Sequence, residues 1–204
     1  MRLSDFQFNF VVDQVSFATS KIDNRCHNIL FEPAGDYLHV VAADGVQMAI
    51  CTIRAEGEKL TIPFETAEFL KNHIRWYGER AIEFHVQNDF NVFVRTTMLD
   101  LEYPNQAHVF PEWKTVLAAS RFDKAETYVV GLRTFLRSIE HTQEHVKLPF
   151  TEAVFNRYLL STAFKRWKKK QYQHSAVKLA YSPTEVPAVR FQIKKEIALV
   201  GEVE

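Results

Sequence analysis

No stretch of this sequence approaches the roughly 18 consecutive apolar residues that a membrane-crossing helix needs. Cysteine is rare: Cys26 and Cys51 are the only two in 204 residues. There is no Cys-x-x-Cys and no Cys/His ligand spacing, which argues against a disulfide scaffold and a structural zinc site. Two buried thiols in a reducing compartment is the plain expectation. Glycine is scarce as well, at six residues, and none sits in a phosphate-cradling loop. The Gly-x-Ser-x-Gly elbow and the His-Glu-x-x-His helix are missing. His141, Glu144 and His145, beside Glu140, come nearest to a metal cluster. Histidines at i and i+4 suit a metal only if a helix continues through both, and a surface helix end is the plainer reading. The expectation is a protein that is not an enzyme and takes no cofactor and no metal. Met1-Arg2-Leu3-Ser4-Asp5 mixes charges early and lacks a signal peptide's apolar core. A cytoplasmic location with no membrane partner follows as an expectation.

What is present is a large apolar inventory: 47% hydrophobic residues, 17 of them Phe, enough for a substantial core at this length. The net charge is zero but unevenly laid out. Residues 1–119 hold 10 Lys/Arg against 16 Asp/Glu, and residues 120–204 hold 15 against 9. A chain polarised in this way can touch a polyanion with its basic part. Solvated helix faces would give the same asymmetry.

The apolar pattern reads as a repeated unit. Phe6 to Val12 alternates as a strand, and Asp13 can cap a short helix through Val15, Phe17, Ala18 and Ile22. Asn28–Glu32, Tyr37–Ala42 and Val46–Ile53 are strands, separated by turns at Pro33–Asp36 and Asp44-Gly45. Lys59–Pro63 is again a strand, followed by a helix with Ala67, Phe69, Leu70 and Ile74 inward. Ala81–Val86, Asn91–Thr96 and Met98–Tyr103 are three more strands, with a turn at Asn88-Asp89. The period is about 50 residues. A linker spans Ala118 to Ala125. Thr127–Val130 then reads as a strand, and Leu132–His141 as a helix with Leu132, Leu136 and Ile139 inward. Val146–Phe150 echoes Leu60–Phe64, and a long helix follows with Phe155, Tyr158, Leu159, Thr162 and Ala163 on one stripe. Ala176–Tyr181, Val189–Ile193 and Ile197–Val203 close the chain as strands. The expected domains are 1–119 and a shortened 120–204, which lacks a block of strands between its two helices.

Phe17-Ala18-Thr19-Ser20, Asn28–Glu32, Val41–Ala49, Leu60–Leu70 and Phe110–Leu117, in this order and spacing, resemble the bacterial β sliding clamp (DNA polymerase III beta subunit) family. The chain looks like a short homologue of the kind phages and mobile elements carry. The resemblance covers residues 6–118 and weakens to topology beyond 120, with Leu148-Pro149-Phe150 as the anchor there. It implies an α+β DNA clamp fold of repeated β-α-β-β-β units, with helices on one side of antiparallel sheets. It also implies a processivity factor in DNA replication. The family's hairpin His-Arg pair is Val46-Gln47 here, and its Met-Pro-rich tail is Val200-Gly201-Glu202.

Such a fold meets duplex DNA through phosphates, so its contacts need cations and no base-reading geometry. The candidates are Lys71 and Arg75, at i and i+4 on one helix; Arg133 and Arg137 on another; and Arg157, Lys165, Lys168 and Lys169 along or after the last helix. Lys21 and Arg25 match a loop that touches DNA in the family. Trp167, within the Lys165–Lys170 run, either stacks on a base or packs under lysine stems. The family's second site is an apolar pocket that takes a short peptide motif from a DNA polymerase or another replication protein. Cys26, Ala43, Gly45, Val46, Gln47 and Met48 match one wall, and Val200 and Gly201 its far edge. Core and turn roles would account for the same residues. The implied partners are double-stranded DNA, replication proteins and further copies of the chain, with two domains per chain pointing to a trimeric ring. The rival reading is a clamp-like adaptor that binds replication proteins without encircling DNA.

Overall fold

The computed structural model describes residues 1–19, 27–87, 90–120, 122, 127–140, 144–148, 154–165, 175–182, 188–193 and 196–201. The chain divides into two compact units, Met1–Gly45 with Ile50–Pro111, and Val46–Ala49 with Glu112–Glu204.

The first unit opens with a three-residue strand, β1 (Arg2–Ser4), and a helix, α1 (Asp5–Val15). The Phe6–Val12 stretch is therefore helical, contrary to the strand expected from its alternating phenylalanines. Burial shows why: Phe8, Val11, Val12 and Val15 are fully buried while Phe6 is 72% exposed. That spacing is a helix period, not a strand period. A capping box starts the helix, with the Gln7 amide donating to Ser4 Oγ at 3.1 Å and the Ser4 amide donating to Gln7 Oε1 at 3.0 Å.

β2 (Asn28–Ala34), β3 (Tyr37–Ala43) and β4 (Gln47–Arg54) follow, then β5 (Leu60–Pro63), in the sheet order β5-β2-β3-β4. Gly35-Asp36 forms the two-residue turn between β2 and β3, with Ala34 paired to Tyr37. Its Gly35 has φ +60, the left-handed conformation that this turn demands and glycine supplies without strain. Helix α2 (Phe64–Tyr77) buries Ala67, Leu70, His73 and Ile74. Phe69, expected inward, is 47% exposed. β6 (Ala81–Gln87), β7 (Asn91–Arg95) and β8 (Asp100–Pro104) form the second sheet in the order β1-β6-β7-β8. The turn expected at Asn88-Asp89 lies outside the described residues. Phe8, Phe31 and Phe84 stack through the core at centroid distances of 5.8 and 6.2 Å.

The second unit contains α3 (Trp113–Ala119), partly within the expected linker, with Phe110 ahead of it and Trp113 at its start both buried. β9 (Thr127–Gly131) leads into α4 (Leu132–Glu140), whose buried side chains include Leu132, Phe135 and Ile139. Phe135 thus takes the inward place expected for Leu136. β10 (His145–Lys147) pairs with β11 (Val154–Asn156), and α5 (Arg157–Lys165) follows. The long-helix reading from Phe155 is corrected: Phe155 is a strand residue, and the buried face of α5 is Leu160, Ala163 and Phe164, with Tyr158 74% exposed. Asn156 starts this helix by accepting from the Tyr158 and Leu159 amides at 2.8 and 3.3 Å. β12 (Ala176–Ser182), β13 (Ala188–Ile193) and β14 (Glu196–Gly201) complete a sheet in the order β14-β13-β12-β9. Phe135, Phe164 and Phe191 form its aromatic centre, with centroids 4.7 to 5.7 Å apart.

The units repeat one device. Each of α1, α2, α4 and α5 follows an edge strand of its sheet. In each, the first helical N–H bonds the residue just before the neighbouring strand: Asp5 to Arg80 O (3.1 Å), Phe64 to His27 O (3.0 Å), Leu132 to Ser175 O (3.0 Å) and Arg157 to Glu144 O (2.9 Å). These bonds satisfy helix-start donors that would otherwise be orphaned, and they fix the register of the repeat. Phe8 then corresponds to Phe135 and Val12 to Ile139, all buried. Ala67 and Leu70 correspond to Leu160 and Ala163, a large-for-small exchange that conserves volume.

Candidate nucleic-acid interface

On α1 and α4 the positions furthest from the core carry different chemistry. On α4 they are Arg133 and Arg137, both exposed, with no ion pair or hydrogen bond among the described residues. The 3.6-residue period sets them one turn apart on one stripe. The matching positions on α1 are Phe6 and Phe10, stacked at 6.1 Å with an 11° interplanar angle. α1 has two carboxylates, Asp5 and Asp13, and no Lys or Arg.

On α2, Lys71 is held between α1 and its own helix, its Nζ 2.8 Å from both Asp13 and Glu68. Burial alone would pull its ammonium down; the hydrogen bonds and charges of Asp13 and Glu68 outweigh that and raise it above the ordinary lysine value. Its charge is answered inside the protein. Arg75, one turn on, is exposed and makes no ion pair among the described residues. Arg157 is exposed at the start of α5. Lys165 ends α5, its side chain outside the described residues, and Lys21, Arg25, Trp167, Lys168 and Lys169 lie outside them altogether. His145 is on β10 rather than on a continuation of α4, and His141 lies outside the described residues. Among the described residues no group of His, Cys, Asp and Glu is placed to hold a metal ion, and no helix is long and apolar enough to cross a membrane.

The residues expected to line a peptide pocket fall as follows. Ala43 ends β3, buried, and Gly45 turns with φ +90. Val46 is 51% exposed, while Gln47 and Met48 on β4 are buried. Val200 on β14 is fully buried and Gly201 ends that strand. Cys26 lies outside the described residues.

The sequence matches no protein-family model and no curated protein. Solved structures do match. The beta subunit from DNA polymerase of Streptococcus pyogenes superposes at a TM-score of 0.76 with 13% identity, and DNA polymerase III beta subunit of Thermotoga maritima at 0.80 with 14%. The DnaN sliding clamp of Bartonella birtlesii, solved bound to griselimycin, gives 0.75 with 14%. Each match covers 100% of this chain and 65% of the other. The chain has the sliding-clamp fold. It spans about 65% of the length of those clamps, and at such identity the likeness is one of fold.

Within this clamp fold, one feature escaped the sequence reading. A groove of about 590 Å³ on the first unit is lined by Arg2, Tyr77–Ala81, Glu83 and Arg95–Met98. Beside it Glu79, following the left-handed Gly78 (φ +65), is buried and accepts from Thr96 Oγ1 (3.0 Å), the Thr97 amide (3.2 Å) and the Met98 amide (2.9 Å). Burial pushes its carboxyl up, but these hydrogen bonds win and hold it below the ordinary value. The Glu79 cluster ties the end of α2 to the β7–β8 turn. The one local sign of the reversal after α2 is Gly78 following a helical pattern.

Proposed function

We propose that this chain is a clamp-type factor of DNA replication that holds duplex DNA through its phosphates, with α4 as the principal contact. The observation that carries the reading is the Arg133/Arg137 pair, exposed and unanswered on a helix of a clamp fold. Arg75 on α2 supplies a further cation, and Arg157, Lys165, Lys168, Lys169, Lys21 and Arg25 extend the basic complement. Lys71 contributes little, because Asp13 and Glu68 already satisfy it. Contacts of this kind release counterions and read no bases. The test is binding to two duplexes of unrelated sequence over a series of salt concentrations. Equal affinities that fall steeply with salt support the reading; no affinity at low salt contradicts it.

A second element of the proposal is peptide docking by replication proteins at the surface of Ala43, Gly45, Val46, Gln47 and Met48 with Cys26, Val200 and Gly201. Val46 is the exposed apolar member while Ala43, Gln47, Met48 and Val200 are buried, so direct contact with an apolar peptide falls to Val46. Val46→Glu is expected to abolish capture of a partner polymerase while leaving duplex binding intact. The non-catalytic role and cytoplasmic location belong to the same reading. The adaptor alternative, which binds without encircling DNA, is favoured by one observation, the shortened second unit.

A further inference from the structure

The fourfold device makes the missing part countable. Three modules run strand, helix, three strands: β1-α1-β2-β3-β4, β5-α2-β6-β7-β8 and β11-α5-β12-β13-β14. The remaining one runs β9-α4-β10 and stops. Residues 148–153 join β10 to β11, where residues 35–59 join β2 to β5 and include the β3–β4 hairpin. Six residues cannot hold two strands and their turns. The loss is internal, so extra chain at either end would not restore it.

The sequence around the gap is adapted to it. α1 packs on β3, and Val11 and Val15 are fully buried. Counting from the shared helix-start bond, Val11 corresponds in sequence to Ser138, a hydroxyl residue where the hairpin is absent. β2 is buried along Asn28–Phe31, whereas β10 exposes His145 and Lys147 on either side of buried Val146.

Closing a ring from two-unit chains by edge-to-edge strand pairing uses both outer edges of every unit. The first unit's second sheet ends in β8, five residues long. At the hairpin position the second unit offers only the three-residue β10. Two absent strands also leave a gap of roughly 10 Å at about 4.8 Å per strand. We infer that this chain does not close a ring on copies of itself and that its hold on duplex DNA is one-sided, electrostatic and not topological. The second clause rests on the duplex-binding reading above; the first does not. It also sets aside the trimeric ring expected from the domain count.

Two measurements test this. Sedimentation of the protein alone at high concentration is expected to give the 23.8 kDa single chain; a species of three chains or more overturns the inference. Retention on nicked circular DNA through a high-salt wash is expected to be lost, equally for the circle and for the same DNA linearised. Salt-resistant retention that linearisation releases overturns it. Should duplex binding itself fail at low salt, the DNA reading falls and the sedimentation result alone decides ring closure.

Discussion

The backbone N–H of Leu132 donates to the carbonyl of Ser175 at 3.0 Å, as that of Asp5 does to Arg80 at 3.1 Å. The two bonds align α4 with α1 residue by residue. They show that arginines on one helix stand where stacked phenylalanines stand on the other, and that one module ends early.

Phe8 and Phe6 are two residues apart but on opposite sides of α1, one fully buried and one 72% exposed. Phe8→Ala is expected to cost about 3–5 kcal/mol through the cavity it leaves, and Phe6→Ala within about 0.5 kcal/mol of nothing. Urea unfolding of both variants checks this. Similar losses at the two sites would return the segment to a strand.

Ser4→Ala removes the acceptor for the Gln7 amide and is expected to cost about 1 kcal/mol. Thermal unfolding of Ser4→Ala and Gln7→Ala should show that both weaken the same helix start, with a double variant less destabilised than the sum.

How much of this was readable in advance depends on the range of the interaction. The β2–β3 turn, expected at Pro33–Asp36 and found at Gly35-Asp36, the Leu60–Phe64 strand-to-helix junction and the last three strands up to Gly201 are set by neighbours in the sequence and are legible there. α1 was not, because Phe6, Phe8 and Phe10 mimic a period of two while burial follows Phe8, Val11, Val12 and Val15; the Ser4-x-x-Gln7 box was the overlooked signal. Phe155 reads as helical from its neighbours because nothing local shows that it pairs with Val146. Which cations stay available is also a tertiary property. Lys71 and Arg75 look alike as an i, i+4 pair, yet only Lys71 meets Asp13, a residue 58 positions earlier.

That difference is testable. Lys71→Met is expected to leave duplex affinity and its salt dependence unchanged and to lower stability by up to about 1 kcal/mol, the worth of a partly exposed ion pair. Arg75→Met is expected to weaken duplex binding without that loss. Anisotropy titrations paired with melting curves separate the two, and equal effects on binding would contradict the assignment.

Glu79 gives a pH signature. Its folded carboxyl titrates below the ordinary value of 4.5, so the stability it contributes is present above its unfolded value and fades as pH falls through the folded one. Glu79→Gln is expected to melt lower than the parent at neutral pH and to converge with it in acid. Parallel melting curves from pH 7 down to pH 3 would contradict this.

The most direct test of duplex contact through α4 is the salt dependence of duplex affinity in the Arg133→Ala/Arg137→Ala double variant. Each phosphate contact contributes about one unit to the slope of log affinity against log salt. The account predicts a slope shallower by about two, with folding unchanged because both side chains are exposed. An unaltered slope and affinity would contradict it and move the DNA contact elsewhere on the chain.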